Sequence, residues 1–167
     1  MSDQRCATVT VTIVGALAVI AYAVWGALHI LVVNPLAAVP DSTLGGIYAA
    51  MEAAGESFSI GAVIGILAIG PALAIAAAVV CIANRVPSIV AASGPLALLV
   101  LGAPGYFIAS FAPGMALADS FMISGGSHSP GDQPLYAVSA VTAIGVIALA
   151  IAAAVRARPA GAATVTI

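Results

Sequence analysis

Four long apolar runs that contain no charged residue constrain the fold of this chain more than any other feature. They cover residues 8–33, 57–83, 89–111 and 135–155. A helix needs about 20 apolar residues to cross the roughly 30 Å hydrocarbon core of a bilayer, and each run reaches that length. The sequence therefore predicts an all-α integral membrane protein, folded as a bundle of four transmembrane helices.

The charged residues between the runs are segregated by sign. The arginines lie before the first run, between the second and third, and after the fourth, at Arg5, Arg85, Arg156 and Arg158. The acidic residues of the other two connections are Asp41, Glu52, Glu56, Asp119 and Asp132. Because arginine-rich connections stay in the cytoplasm, we expect a multi-pass protein of the plasma (inner) membrane with both termini cytoplasmic.

The composition leaves no room for a separate soluble domain. Of the 167 residues, 63% are apolar and 6% are charged, whereas charged residues make up about a quarter of an ordinary soluble domain. We therefore expect a single membrane domain over residues 1–167. Scattered arginines cannot form the basic stripe that nucleic acid requires, so no nucleic-acid partner is predicted. The lack of lysine beside abundant alanine, glycine and valine is typical of a GC-rich bacterial genome.

The first outer connection, 34–56, has the pattern of a short helix. The Asp41–Ser42 pair suits a helix start, and apolar residues then recur at helical spacing, at Leu44, Ile47, Tyr48 and Met51. This helix would either lie on the outer leaflet or cover the bundle as a lid. The second outer connection, 112–134, has a possible short helix over 115–123. We therefore expect one or two short helices in the outer connections, with Asp41 and Asp119 near helix N-termini.

Two glycine–proline pairs make the third apolar run the least regular. Gly94–Pro95 lies near its beginning and is interpreted as the start of the helix. Pro104–Gly105 lies in its outer half and predicts a break, because proline cannot donate a backbone hydrogen bond. The carbonyls that such a break frees need other partners inside a membrane.

The first span carries the sharpest cluster of chemically versatile side chains. Tyr22, Trp25 and His29 follow one another at spacings of three and four residues, which puts them on one helical face. Asn34 and Tyr106 are expected at a similar depth, and the five residues form the candidate outer pocket, with His29 as ligand or proton carrier. The alternative is an interfacial aromatic belt in which His29 bonds water or a carbonyl.

A small-residue motif marks the second span. Gly61 and Gly65 stand four residues apart, and such a pair lets a second helix approach closely. They are the candidate helix-packing residues, either within the bundle or against a partner.

No constellation in the sequence indicates an enzyme. A nucleophile elbow, a phosphate loop and a zinc-binding H-E-x-x-H helix are all missing from the sequence. The apolar runs also lack the charged residue that ion-coupled carriers usually need. The histidines and methionines of the outer half do not have the spacing of a metal site. No catalytic residue, cofactor or metal ligand is therefore predicted.

The predicted function is that of a non-enzymatic accessory or interaction subunit of the plasma membrane. Its expected partners are the lipid bilayer and either another membrane protein or a second copy of the chain. The alternative is an outward-facing module that binds or transports a small solute through the face of Tyr22, Trp25 and His29. A membrane enzyme acting on a lipid or quinone is a third interpretation.

Overall fold

The structure, a computed structural model, describes residues 2–56 and 58–156, without the side chains of residues 2, 3 and 156. Regular secondary structure in these residues is entirely helical. Four helical stretches are long and apolar enough to cross a membrane: Gln4–Ala38, Ile60–Ala83, Ser88–Phe121 and Pro130–Val155. The predicted all-α fold with four such stretches is therefore confirmed. The predicted start of the second span at residue 57 and the tail that contains Arg158 lie outside the described residues.

Several of these stretches are composite. In chain order the elements are α1 (Ser2–Leu28), a π-helical turn (His29–Val33), α2 (Asn34–Ala38), α3 (Leu44–Ala53), α4 (Ile60–Ala83), α5 (Ser88–Val100), α6 (Gly102–Phe121), a 3-10 turn (Pro130–Asp132) and α7 (Gln133–Arg156). The first stretch joins α1, the π turn and α2 without interruption, and the third joins α5 and α6.

The first helix is central to the bundle, because α1 packs along both α4 and α5. Near one end of the bundle, the Thr8 hydroxyl donates to the Val86 carbonyl at 2.9 Å. We call this the arginine end, since Arg5 and Arg85 lie there, and the opposite end, which holds the acidic connections, the acidic end. Large apolar side chains on the outside of the bundle are exposed, such as Val141 at 70% and Leu149 at 67%. Such faces are typical of helices that contact lipid.

The predicted helix in the first outer connection is present as α3, although its start was misplaced. Thr43 is the N-cap residue, and its side-chain oxygen accepts from the Gly46 amide at 3.1 Å. Asp41 lies before the helix at φ 67°, so the prediction that Asp41 begins it is wrong. Ile47 and Met51 are 0% and 3% exposed and pack against α6. Of the two expected arrangements, the structure shows the second: α3 covers the bundle as a lid.

The second outer connection has no separate helix over 115–123. Instead, α6 runs on through Pro113 and ends at Phe121. Pro113 is buried in the bundle, and this burial offsets the hydrogen bond that its ring removes. Asp119 consequently lies in the last turn of a helix, and its interpretation as an N-terminal residue is wrong.

The third stretch is broken near Pro104, as predicted, but it does not begin at Gly94–Pro95. The helix begins at Ser88 and passes through Gly94–Pro95, so this pair does not mark the helix start. The break falls at Leu101, just before Pro104, which has no amide hydrogen for the carbonyl of Val100. At this break the third stretch therefore lacks the hydrogen bond that the Val100 carbonyl would accept in an unbroken helix.

Gly61 and Gly65 do not pack against another helix in the described part of the chain. Both are exposed on α4, and among the described residues a Cβ built on Gly65 would meet nothing within 4 Å. Of the two expected arrangements, packing within the bundle is therefore not found among the described residues, and packing against a partner stays a prediction. Close helix approach occurs instead at Gly15, where a Cβ would lie 2.6 Å from the ring of Pro95.

Candidate functional site

His29 is the most deeply buried polar residue at the acidic end. It begins the π-helical turn, and its side chain is 1% exposed. Pro35, two residues past this turn, cannot donate to the Leu31 carbonyl, and the Tyr48 hydroxyl from α3 donates to that carbonyl instead, at 2.6 Å. Burial raises the pKa of the Tyr48 phenol, so this donor stays protonated. The lid helix therefore stabilises the irregular backbone that carries His29.

The imidazole of His29 is hydrogen-bonded on one side only. Its Nδ1 lies 2.7 Å from the hydroxyl of Tyr106, which is itself 3% exposed. Its Nε2 is buried and has no hydrogen-bond partner in the described part of the chain. The Ser129 backbone and the Asp132 side chain lie near the ring, but neither has hydrogen-bond geometry to Nε2. In either tautomer, this nitrogen keeps an unused donor or acceptor.

The loop before α7 closes over His29. A Cβ on Gly131 would lie 2.6 Å from His29 Cδ2, so only glycine lets the loop approach the ring this closely. The Trp25 indole donates to the Gly131 carbonyl at 2.8 Å. The backbone amide of His128 donates to Asn34 Oδ1 at 2.7 Å. Two residues of the first span therefore hold this loop against the imidazole.

A cavity of about 250 Å³ lies beside His29 and Tyr106. Among its walls are four further aromatic rings, those of Tyr48, Phe58, Phe107 and Tyr136. Its walls also include the polar side chains of Asn34, Ser110, Ser127 and Asp132. Because a cavity of roughly 150 Å³ can hold benzene, this one fits a molecule of one or two rings.

The candidate pocket predicted from the sequence is brought together in part. His29, Asn34 and Tyr106 line the cavity. Tyr22 and Trp25 do not, because their polar atoms are bonded elsewhere and Trp25 is 41% exposed on the outside. The cavity residues that the sequence did not indicate come from the lid and from the ends of α6 and α7. The sequence shows that the outer half of the chain contains these residue types. It does not show that they meet at one cavity, because helical spacing does not tell which elements pack together.

Tyr22 serves a second polar cluster, deeper in the bundle. Its hydroxyl lies 3.2 Å from Ser139 Oγ and donates to the Leu135 carbonyl at 3.2 Å. Ser139 Oγ donates to the Leu99 carbonyl at 2.7 Å and accepts from the Ala103 amide at 3.1 Å. In an unbroken helix those two backbone groups would bond each other. The serine hydroxyl is therefore inserted into the break of the third stretch and ties it to the first and fourth.

The cavity beside His29 is suited to binding a small molecule through its aromatic walls and its polar side chains. Within the described residues, no group of three or more histidine, cysteine or acidic side chains is placed to hold a metal ion. No protein-family model, curated protein or solved structure matches this chain.

Proposed function

We propose that this chain is a plasma-membrane protein of four spans with both termini in the cytoplasm. The segregation of arginine from acidic residues supports this orientation. At about 1.5 Å per residue, His29 lies roughly 36 Å along the helix from Arg5. That distance exceeds the roughly 30 Å hydrocarbon core, so the cavity would open at the level of the outer head groups.

Fusion of reporter enzymes tests this orientation. Alkaline phosphatase, which is active only outside the cytoplasm, should be inactive when fused after Arg158 and active when inserted between Gly125 and Gly126. A green fluorescent protein should give the opposite pattern. An active phosphatase after Arg158 would show that the orientation is reversed.

At the outer end, we propose a non-enzymatic site that binds a small aromatic or apolar molecule carrying one polar group. The single observation that carries this proposal is the buried, unpartnered Nε2 of His29, a residue that lines the aromatic cavity. An unpaired buried polar group costs about 1–3 kcal/mol, and a ligand that pairs it recovers that free energy. The surrounding rings would supply the apolar contact.

The fluorescence of Trp25, the one tryptophan of the chain, reports on this site. Trp25 holds Gly131 over His29, so a ligand at His29 should change its emission. We expect at least one probe among phenol, catechol, benzoquinone and cyclohexanol to change the emission saturably. His29→Ala should weaken that binding about tenfold or more, the effect of losing roughly 1.4 kcal/mol.

His128→Ala is the matched control for this experiment. The His128 ring bonds the Ser124 carbonyl, and only the backbone of His128 bonds Asn34. The control should therefore bind the probe as the unchanged protein does. Emission that no probe changes, or binding that His29→Ala leaves intact, would contradict the proposed site.

A second candidate function is an accessory subunit that binds another membrane protein or a second copy of the chain. The observation that favours it is the exposure of Gly61 and Gly65 on α4. A helix of another protein, or of a second copy, could approach α4 closely at these two glycines. The Gly65→Leu variant described in the Discussion tests this candidate.

A further inference from the structure

The arginine end contains a second cavity, of about 410 Å³, lined by two guanidinium groups that are distant in sequence. Arg5 comes from the first turns of α1, and Arg85 from the turn that follows α4. Gln4 adds a polar amide, while Val9 and Ile82 form part of an apolar wall. The sequence showed only scattered arginines, and the fold places two of them at one cavity.

A buried threonine links the two segments that carry these arginines. Thr8 is 5% exposed, and its hydroxyl oxygen lies 2.9 Å from the Val86 carbonyl and 3.0 Å from the Gln4 carbonyl. This bond joins the first turns of α1 to the turn that carries Arg85. The backbone of Arg85 is therefore fixed relative to the segment of α1 that carries Arg5.

Among the side chains that the structure describes, no carboxylate lines this cavity. The carboxylates of Asp41, Glu52, Glu56, Asp119 and Asp132 belong to the acidic end. In the sequence, Asp3 is the one acidic residue on the arginine side. Two positive side chains that line one cavity favour an anion there, and the planar guanidinium pairs with phosphate oxygens in bidentate geometry.

We propose that this cavity binds a phosphate group, supplied by the head group of an anionic phospholipid of the inner leaflet. Basic pockets between membrane helices on the cytoplasmic side recognise such head groups. The apolar wall of Val9 and Ile82 suits the glycerol and first acyl carbons of a lipid better than a free phosphate ester. The inference rests on the proposed membrane orientation, but not on the ligand site at His29.

The backbone at Arg85 provides a test variant that should not unfold the protein. Arg85 has φ 54°, and the Val86 amide bonds the Cys81 carbonyl at 3.0 Å, which closes the end of α4. Glycine is the preferred residue at such a left-handed position. Arg85→Gly therefore removes the guanidinium and should retain or raise the melting temperature.

The experiment measures binding of short-chain phosphatidylglycerol, phosphatidylcholine and inorganic phosphate to the full chain in neutral detergent. Phosphatidylglycerol should bind saturably and phosphatidylcholine at least tenfold more weakly. Arg5→Gln and Arg85→Gly should each weaken phosphatidylglycerol binding at least tenfold. Arg158→Gln, which removes the same charge from the tail, should change it by less than about twofold. The response of Trp25 to outer-site probes should be unchanged in Arg85→Gly.

Two outcomes would overturn the inference. One is phosphatidylglycerol binding that survives Arg85→Gly in a folded protein. The other is an equal loss in Arg158→Gln, which indicates unspecific attraction by net charge. If inorganic phosphate binds as tightly as the lipid and depends on the same two arginines, the phosphate site is supported and a soluble phosphate ester replaces the lipid as its source.

Discussion

Gly15→Ala is expected to lower the free energy of unfolding by about 1–3 kcal/mol, the usual cost of overpacking a core. A Cβ at this position would lie 2.6 Å from both Cβ and Cγ of Pro95. The proline ring is closed onto its own backbone and cannot rotate away, so α1 and α5 must separate. Denaturation in mixed micelles, followed by Trp25 emission, measures the change.

Gly65→Ala is the matched control, since no described atom lies within 4 Å of a Cβ there. Replacing a helical glycine by alanine at an open position should leave the protein equally stable, or more stable by up to about 1 kcal/mol. Equal effects of the two substitutions would contradict the assignment of Gly15 to the close contact.

Gly65→Leu extends the same comparison to the accessory-subunit candidate. The exposed position should accept the larger side chain without loss of folding, while a partner helix on that face would be displaced. If co-purification in native-lipid particles yields a stoichiometric partner, or a second copy, that Gly65→Leu removes, the candidate is supported. A protein that remains alone in both forms would contradict it.

Ser139→Ala is expected to lower the free energy of unfolding by about 2–3 kcal/mol, because the change leaves buried backbone groups without partners. The hydroxyl bonds the Leu99 carbonyl, the Ala103 amide and the Tyr22 hydroxyl. Without it, the break between α5 and α6 loses its connection to α7. The same mixed-micelle denaturation measures the loss.

Ser93→Ala is the control for this substitution. Ser93 is exposed, and its hydroxyl donates to the Val90 carbonyl of its own helix at 2.7 Å. Its removal should change the free energy of unfolding by less than about 0.5 kcal/mol. A Ser139→Ala protein as stable as the Ser93→Ala protein would show that the inserted hydroxyl does not hold the broken helix.

The helical stretches followed from the sequence because hydrophobic length and charge placement are local properties of the chain. The break near Pro104 was predictable for the same reason, since proline removes a specific hydrogen bond. The start of α3 was misplaced at Asp41 because both Asp41 and Thr43 lie in a polar segment able to cap a helix. Only the tertiary packing of Ile47 and Met51 fixes which one does so.

Of the candidate site, the sequence could predict only which residues share a helical face. Tyr22, Trp25 and His29 do share one face of the first span, but helical spacing does not tell which neighbouring element each side chain meets. Tyr22 bonds α7, Trp25 bonds the loop before it, and His29 alone lines the cavity. The placement of Arg5 and Arg85 at one cavity was equally hidden, because the proximity of residues so distant in sequence depends on the register of whole helices.

The π-helical turn at His29–Val33 makes the number of residues in the first span as significant as their identity. A π turn holds one residue more than the α-helical turn that it replaces, and each residue turns a helix by about 100°. A chain shortened by one residue inside this turn would close it as an ordinary α-helical turn and keep the two halves of the span in phase. The same deletion in the regular part of α1 would instead rotate the two halves by about 100° relative to each other. The effect of a deletion in the first span therefore depends on whether it falls inside the π turn or outside it.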